Sequence, residues 1–358
     1  MKQIYFNKLR ATLQANFQWN KSRISFLTNF VTLMILTASV KLNRISLLMT
    51  GAKSESNYRK IQRFFKLFQF DYNEYSRFIL GLLSGYSKYY LVIDRTNWKF
   101  GKSDINILML GIIYKNSCFP LFWELLAKGG SSSTQERKAL LSKAINLLGK
   151  DRIQGILGDR EFIGVHWFRY LIANQIEFHI RIPKQVKAGS PLQKNRRTIE
   201  YLFRYCKENV KVDYPKAVTI LGFKLFVSSM KSIKGFCLVV SNKSNLKSLE
   251  KYQMRWTIEN MFGAFKKRGF NFEETHMTQL EKIKKLIVMI SIAYTWCVLV
   301  GLWISESIKI RIMKHGRKLK SIFRRGFDFL TTFIKKLLTG NIYNDLEFNN
   351  VTKLLSCT

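Results

Sequence analysis

The chain has 358 residues, 47% of them apolar, enough to bury a substantial core, which excludes a disordered basic protein. Lys and Arg total 60 against 23 Asp and Glu, a formal net charge of +37; so large an excess repels itself and points to a polyanionic partner, DNA or RNA, with a ribosome-associated or membrane-surface protein as the alternative. The five cysteines (Cys118, Cys206, Cys237, Cys297, Cys357) never fall in a CxxC pair and the four histidines form no HxxxH or HExxH pair, which argues against a disulfide framework, structural zinc and imidazole-held metal. Any metal would have to be held by carboxylates.

At about 150 residues per domain, two to three domains are expected. Residues 1 to 30 show no compact apolar run followed by a small-residue cleavage site, so a cytoplasmic location is expected. Residues 1–85 contain no Pro and carry apolar residues at helical spacing. Within them, Leu42 to Met49, a turn over Thr50 to Lys53 and a second helix over Ser54 to Phe68 read as a helix-turn-helix. The second helix would offer Arg59, Lys60 and Arg63 to phosphates, with Asn57 and Tyr58 near base edges; a plain helical hairpin with a solvated basic face is the alternative.

From residue 88 the period changes. KYYLVIDRTNWKFG and INILMLGIIYKNSCFPLFWELL predict strands, and GGSSSTQERKALLSKAINLL predicts a Gly/Ser loop entering a helix capped by Ser133 and Glu136. A strand in IQGILGDREF, a helix in GVHWFRYLIANQI and a strand in EFHIRIPK complete an α/β pattern over 86–183. Residues 184–243 read as β-rich, a basic loop KQVKAGSPLQKNRR followed by the strand-like runs VTILGFKLFVSSM and GFCLVVSN. Residues 244–305 return to helix, and 306–358 form a basic tail with interleaved aromatics. The run Leu286 to Ile304 is long enough to span a bilayer, so a membrane-anchored basic protein is one possible reading; the other is a helix buried against a sheet.

Asp94 follows YYLVI and Asp159 follows GIL-Gly, so each acid would stand where an apolar strand leaves a sheet, a position where such sheets place functional groups. A carboxylate beside an apolar strand costs desolvation unless a cation compensates it, and two of them invite a divalent metal; singly, each is an ordinary turn residue or helix cap. In EKYQMRWTIENMFGAFKKRG, an ideal helix at about 100° per residue places Tyr252, Arg255, Glu259 and Lys266 within about 60° of one another. Met254, Ile258, Met261, Phe262 and Phe265 occupy the neighbouring face, as in any amphipathic helix.

Together these pieces resemble the Asp-Asp-Glu (DDE) transposases of bacterial insertion sequences, in the family-four branch with a Tyr-x2-Arg-x3-Glu-x6-Lys motif, which stands complete here as Tyr252, Arg255, Glu259 and Lys266. VIDRTNWKFG and GDREF are similar to the family's first two acidic blocks, and HGRKLKSIFRRGFDFL to its C-terminal segment. The resemblance, from about residue 40 to 330, implies an RNase H-like α/β core with a β-rich insertion between the second Asp and the Glu, preceded by a helical DNA-binding region. It implies that Asp94, Asp159 and Glu259 hold two Mg²⁺ or Mn²⁺ ions, and that Tyr252, Arg255 and Lys266 contact phosphates near the scissile bond. It also implies double-stranded DNA as partner, a homodimer pairing two element ends, and no membrane. Hairpin-forming members use an aromatic residue of the insertion, often Trp; residues 184–243 contain none, leaving Phe223, Phe226 or Phe236. Glu161, beside Asp159, would either support it or start the following helix.

Overall fold

The computed structural model describes residues 2–356 except 84, 190–195, 234, 245, 315, 317 and 340–344. Part of the basic loop 184–197, two positions of the HGRKLK segment, and Cys357 therefore lie outside the described residues. The chain divides into two compact units, one made of 1–85, 98–105 and 260–358, the other of 86–97 and 106–259.

The first unit is mainly helical. Helices α1 (Lys2–Asn16), α2 (Lys21–Thr37), α3 (Leu42–Leu48), α4 (Ser54–Leu67) and α5 (Tyr72–Leu82) open it. Helix α4 buries Ile61, Phe64 and Phe65 on one side and exposes Arg59, Lys60 and Arg63 on the other. Asn57 does not face outward as the sequence suggested. It is buried, and its amide donates to the carbonyls of Ser46, Met49 and Ala52, tying the end of α3 and the turn to α4. A short polar side chain at this point satisfies carbonyls that the turn leaves open.

Helix α11 (Leu280–Ser307) has the length and hydropathy of a membrane span. It is buried from Leu286 to Gly301 and is covered by α2 and by α12 (Ile322–Thr339), with α13 (Asp345–Leu354) alongside. Its cover in this unit is helical. Helices α11 and α12 cross where glycines let backbones meet: a Cβ on Gly326 would collide with the Cys297 carbonyl, and one on Gly301 with that of Ile322.

The second unit is built on a nine-stranded mixed sheet in the order β3-β2-β1-β4-β5-β9-β8-β6, with β7 pairing β8. The strands are β1 (Tyr89–Phe100), β2 (Ser103–Tyr114), β3 (Ser117–Leu125), β4 (Ile153–Gly158), β5 (Phe178–Ile182), β6 (Lys211–Asp213), β7 (Val218–Ile220), β8 (Phe223–Ser232) and β9 (Gly235–Ser241). β1–β4 and β4–β5 are parallel, whereas β2–β3, β5–β9 and β8–β9 are antiparallel. Helix α6 (Thr134–Leu148) starts with the expected capping box, Ser133 and Glu136 each bonding the other's backbone. Helix α7 (Val165–Ala173) connects β4 to β5, and α8 (Ile199–Leu202) precedes β6.

Two strand readings are corrected. VTILGFKLFVSSM is not one strand: Leu221 (φ 52°) and Gly222 (φ 86°) form a two-residue turn that folds β7 back on β8. The strand bearing Asp94 does not end there either but runs to Phe100.

Candidate active site

The register of the parallel pair β1–β4 positions the first two acids. Pairing ends at Ile93↔Gly158, so Asp94 and Asp159 are the next residue on each of two neighbouring strands, on the same side of the sheet. Asp159 also caps a short 3-10 turn over Arg160–Phe162, accepting the Arg160 N–H at 2.7 Å, and Asp94 accepts the Arg95 N–H at 2.8 Å. Gly158 sits in a tightly packed spot, a Cβ there lying 3.2 Å from that of Phe162.

The third acid arrives on a helix that is not continuous. Helix α9 (Ser248–Gln253) and helix α10 (Trp256–Phe265) are joined by a turn at Met254 and Arg255 with i→i+3 bonds, including Arg255 N–H to the Tyr252 carbonyl at 2.9 Å and Ile258 N–H to that of Arg255 at 3.1 Å. The Thr257 hydroxyl donates to the Met254 carbonyl at 2.7 Å and so competes for an acceptor of a regular α-helix. Tightening to three residues per turn eclipses positions three apart. Tyr252 and Arg255 are thereby brought together, Arg255 Nε donating to the Tyr252 hydroxyl at 3.2 Å.

Arg255, only 4% exposed, is the hub. Its Nη1 donates to Asp94 at 2.9 Å and its Nη2 to Glu259 at 2.5 Å, while the Tyr252 hydroxyl donates to Asp159 at 3.4 Å. Burial pushes the Asp94 carboxyl up to about 6; Arg255 and the Arg95 N–H oppose this, and repulsion from Asp159 and Glu259 adds to it. Burial alone would lower the Arg255 pKa, but Tyr252, Asp94, Asp159 and Glu259 hold the guanidinium more firmly protonated than usual. Burial also raises the Tyr252 phenol, against Arg255, so it acts as a neutral donor.

The α9 helix is anchored from β5. Buried His179 shares a 2.8 Å hydrogen bond with the Ser248 hydroxyl and another with Glu177, and Lys251 pairs with Glu177 at 2.8 Å. Hydrogen bonding from His179 lowers the Glu177 carboxyl to about 2, against burial, with Lys251 assisting. An ionised Glu177 requires the proton on His179 Nε2, leaving Nδ1 to accept from Ser248.

Behind the two aspartates lies a second polar network, which the sequence reading largely missed. Arg95 Nε donates to both Glu161 oxygens at 2.9 and 3.2 Å, and its Nη1 to Asn106 at 3.0 Å. Buried Asn106 holds the carbonyls of Lys128 and Gly130, and Ser132 approaches Glu161 at 3.4 Å through both its N–H and its hydroxyl. Buried Arg137 bonds the Ser132 hydroxyl and carbonyl at 2.9 and 2.6 Å. Only the place of Glu161 beside Asp159 in GDREF hinted at this; the partners are far apart in sequence.

Lys266 belongs to the first unit, where it pairs with Glu273 at 2.8 Å and lies over the Trp98 ring. Arg59, Lys60 and Arg63 belong to that unit as well. Phe223, Phe226 and Phe236 are half-buried on β8 and β9.

Three carboxylates around one guanidinium leave two net negative charges at a half-buried site, with only hard oxygen donors. That composition fits divalent cations. Among the described residues, no three Asp, Glu, His or Cys side chains surround a single point closely enough to ligate one ion, and Arg255 pairs with both Asp94 and Glu259.

No curated protein matches the chain. Residues 86–296, more than half of it and the whole of the site from Asp94 to Glu259, match the family model described as a transposase DDE domain. With one aspartate on β1 and another just past the end of neighbouring β4, a helix-borne glutamate and that match, the chain belongs to the DDE-domain transposases.

Proposed function

We propose that the chain is a transposase of the Tyr-x2-Arg-x3-Glu-x6-Lys branch that binds the terminal inverted repeats of an insertion sequence and catalyses strand cleavage and strand transfer into target DNA. One observation carries this reading: Asp94, Asp159 and Glu259, from distant parts of the chain, converge around Arg255 and Tyr252. The run β3-β2-β1-β4-β5 with β1, β4 and β5 parallel supports an RNase H-like core. Strands β6 to β9, which extend the sheet from β5 before the chain reaches Glu259, support an insertion at that point.

Asp94, Asp159 and Glu259 would hold two Mg²⁺ or Mn²⁺ ions, which when bound activate the attacking oxygen and stabilise the leaving one in an in-line displacement at phosphorus. Tyr252 keeps its proton and orients Asp159. Arg255, relieved of Asp94 and Glu259, presents a rigid, permanently charged fork matched to a phosphate. Lys266 adds a further charge to the DNA backbone. The exposed basic face of α4, with Arg59, Lys60 and Arg63, would engage the repeat, and two chains would pair two ends at the nucleoid. Burial of α11 among helices supports a protein that works away from membranes.

The test is cleavage of a labelled duplex carrying the element's own terminal repeat, in Mg²⁺, Mn²⁺ or EDTA, by wild type and Glu259→Gln. Metal-dependent nicking at the repeat boundary that is lost in the variant while binding persists is expected. A folded wild type that binds the repeat but never cuts it would overturn the catalytic reading.

A further inference from the structure

The two strands that carry Asp94 and Asp159 are paired only up to Ile93 and Gly158; beyond that point the β1–β4 ladder no longer fixes the spacing of the acids. The residues that follow immediately supply a second link. Arg95, next to Asp94, and Glu161, two residues after Asp159, form an ion pair in which Nε meets both carboxylate oxygens, and both side chains are largely buried, at 17% and 22% exposure. The pair is itself fixed from behind: Asn106 orients Arg95, and Ser132, gripped by Arg137, abuts Glu161.

We propose that Arg95 and Glu161 are positioning residues that clamp the two strand ends and thereby set the separation of Asp94 and Asp159 for cation binding. The proposal rests on the reading of these aspartates as metal-holding groups. Neither Arg95 nor Glu161 needs to touch an ion or DNA. Their joint effect has a signature that charge alone cannot mimic. By charge, loss of Arg95 would tighten binding of a divalent cation and loss of Glu161 would weaken it. A clamp, by contrast, fails whichever jaw is removed, so both losses weaken binding.

The experiment is a Mn²⁺ titration of the full chain without DNA, reading free Mn²⁺ by electron paramagnetic resonance, for wild type, Arg95→Met, Glu161→Gln, the double variant, Arg95→Lys and Asp94→Asn. Each single loss is expected to weaken Mn²⁺ binding by about 10–100-fold, the usual range for groups that orient ligands from behind. The double variant is expected to be no weaker than the worse single one, because both remove the same clamp. Arg95→Lys, which keeps the charge but not the two-oxygen contact, should recover part of the loss. Repeat binding in EDTA and the melting temperature of each variant control for folding.

Opposite effects of Arg95→Met and Glu161→Gln, losses that add in the double variant, or Mn²⁺ affinities that stay at the wild-type value would each overturn the clamp. Wild type that takes up no Mn²⁺, or takes it up equally well as Asp94→Asn, would instead overturn the metal reading on which the clamp depends.

Discussion

Asp94 should destabilise the metal-free protein, and removing its charge should make the protein more stable. The carboxyl is pushed from an ordinary value of 3.8 up to about 6, chiefly by burial, with Arg255 offsetting only part of the cost. With the folded value above the unfolded one, the Asp94 contribution to stability is most favourable below pH 3.8, where Asp94 is protonated in both states, and is lost as pH rises through 6. A shift of about two units corresponds to about 3 kcal/mol at pH 8, the side chain being only 15% exposed. Asn has the same shape, never ionises and still offers Arg255 an acceptor. Asp94→Asn in EDTA is therefore expected to gain up to about 3 kcal/mol at pH 8 and almost nothing at pH 4, by urea unfolding followed through tryptophan fluorescence. On the proposed metal-holding role of Asp94, adding Mn²⁺ should raise the wild-type midpoint more than the variant's, which keeps only two of the three acids. A variant less stable than wild type at pH 8, or equally stabilised at both pH values, would refute the argument that burial dominates this carboxylate.

Ser248→Ala should cost about 1–3 kcal/mol by leaving the buried His179 Nδ1 without its donor, measurable by denaturant unfolding. Burial lowers the His179 pKa, so the fold should lose stability as pH falls below 6.5, where the unfolded chain takes up the proton; His179→Gln should flatten that slope in acid unfolding curves. Gly326→Ala should push α12 off the Cys297 carbonyl and destabilise the helical unit by about 1–3 kcal/mol, seen as a lower melting temperature by circular dichroism. Replacing Arg59, Lys60 and Arg63 together by Ala should lower the magnitude of the slope of log K against log salt by about 3 in repeat-binding titrations, at about 0.9 per lost phosphate contact; an unchanged slope would take α4 off the DNA backbone.

Local chemistry was legible where a few neighbouring residues decide the outcome. Ser133 and Glu136 announced a capping box, and the predicted α3–turn–α4 boundaries fall within a residue of those found. Long apolar runs announced the core strands. What stayed hidden was set by partners distant in sequence or by turns without their usual residues. Leu221 in a positive-φ turn position looks like one more strand residue, and Asn57 looks like a base-reading side chain until the three carbonyls it serves are known. An ideal helix through Tyr252 and Arg255 put the right residues on one face, but the turn that lets them bond depends on Thr257 capturing the Met254 carbonyl. The Arg95–Glu161 pair spans 66 residues and the Arg255–Asp94 pair 161, so no spacing rule could reveal them.

The crossing of α11 and α12 has a consequence for shortened forms of the chain. Helix α11 is apolar enough to pass for a bilayer span, and part of its cover, including Phe323 stacked on Tyr294 and Gly326 against Cys297, comes from residues beyond 321. A product ending before Ile322, as a late frameshift would leave, retains Asp94, Asp159 and Glu259 yet should bare part of a bilayer-length apolar helix. Such a fragment should aggregate or adsorb to lipid rather than meet DNA. The cover that α12 supplies, remote in sequence from Asp94 and Asp159, should thus help to keep that helix in the core.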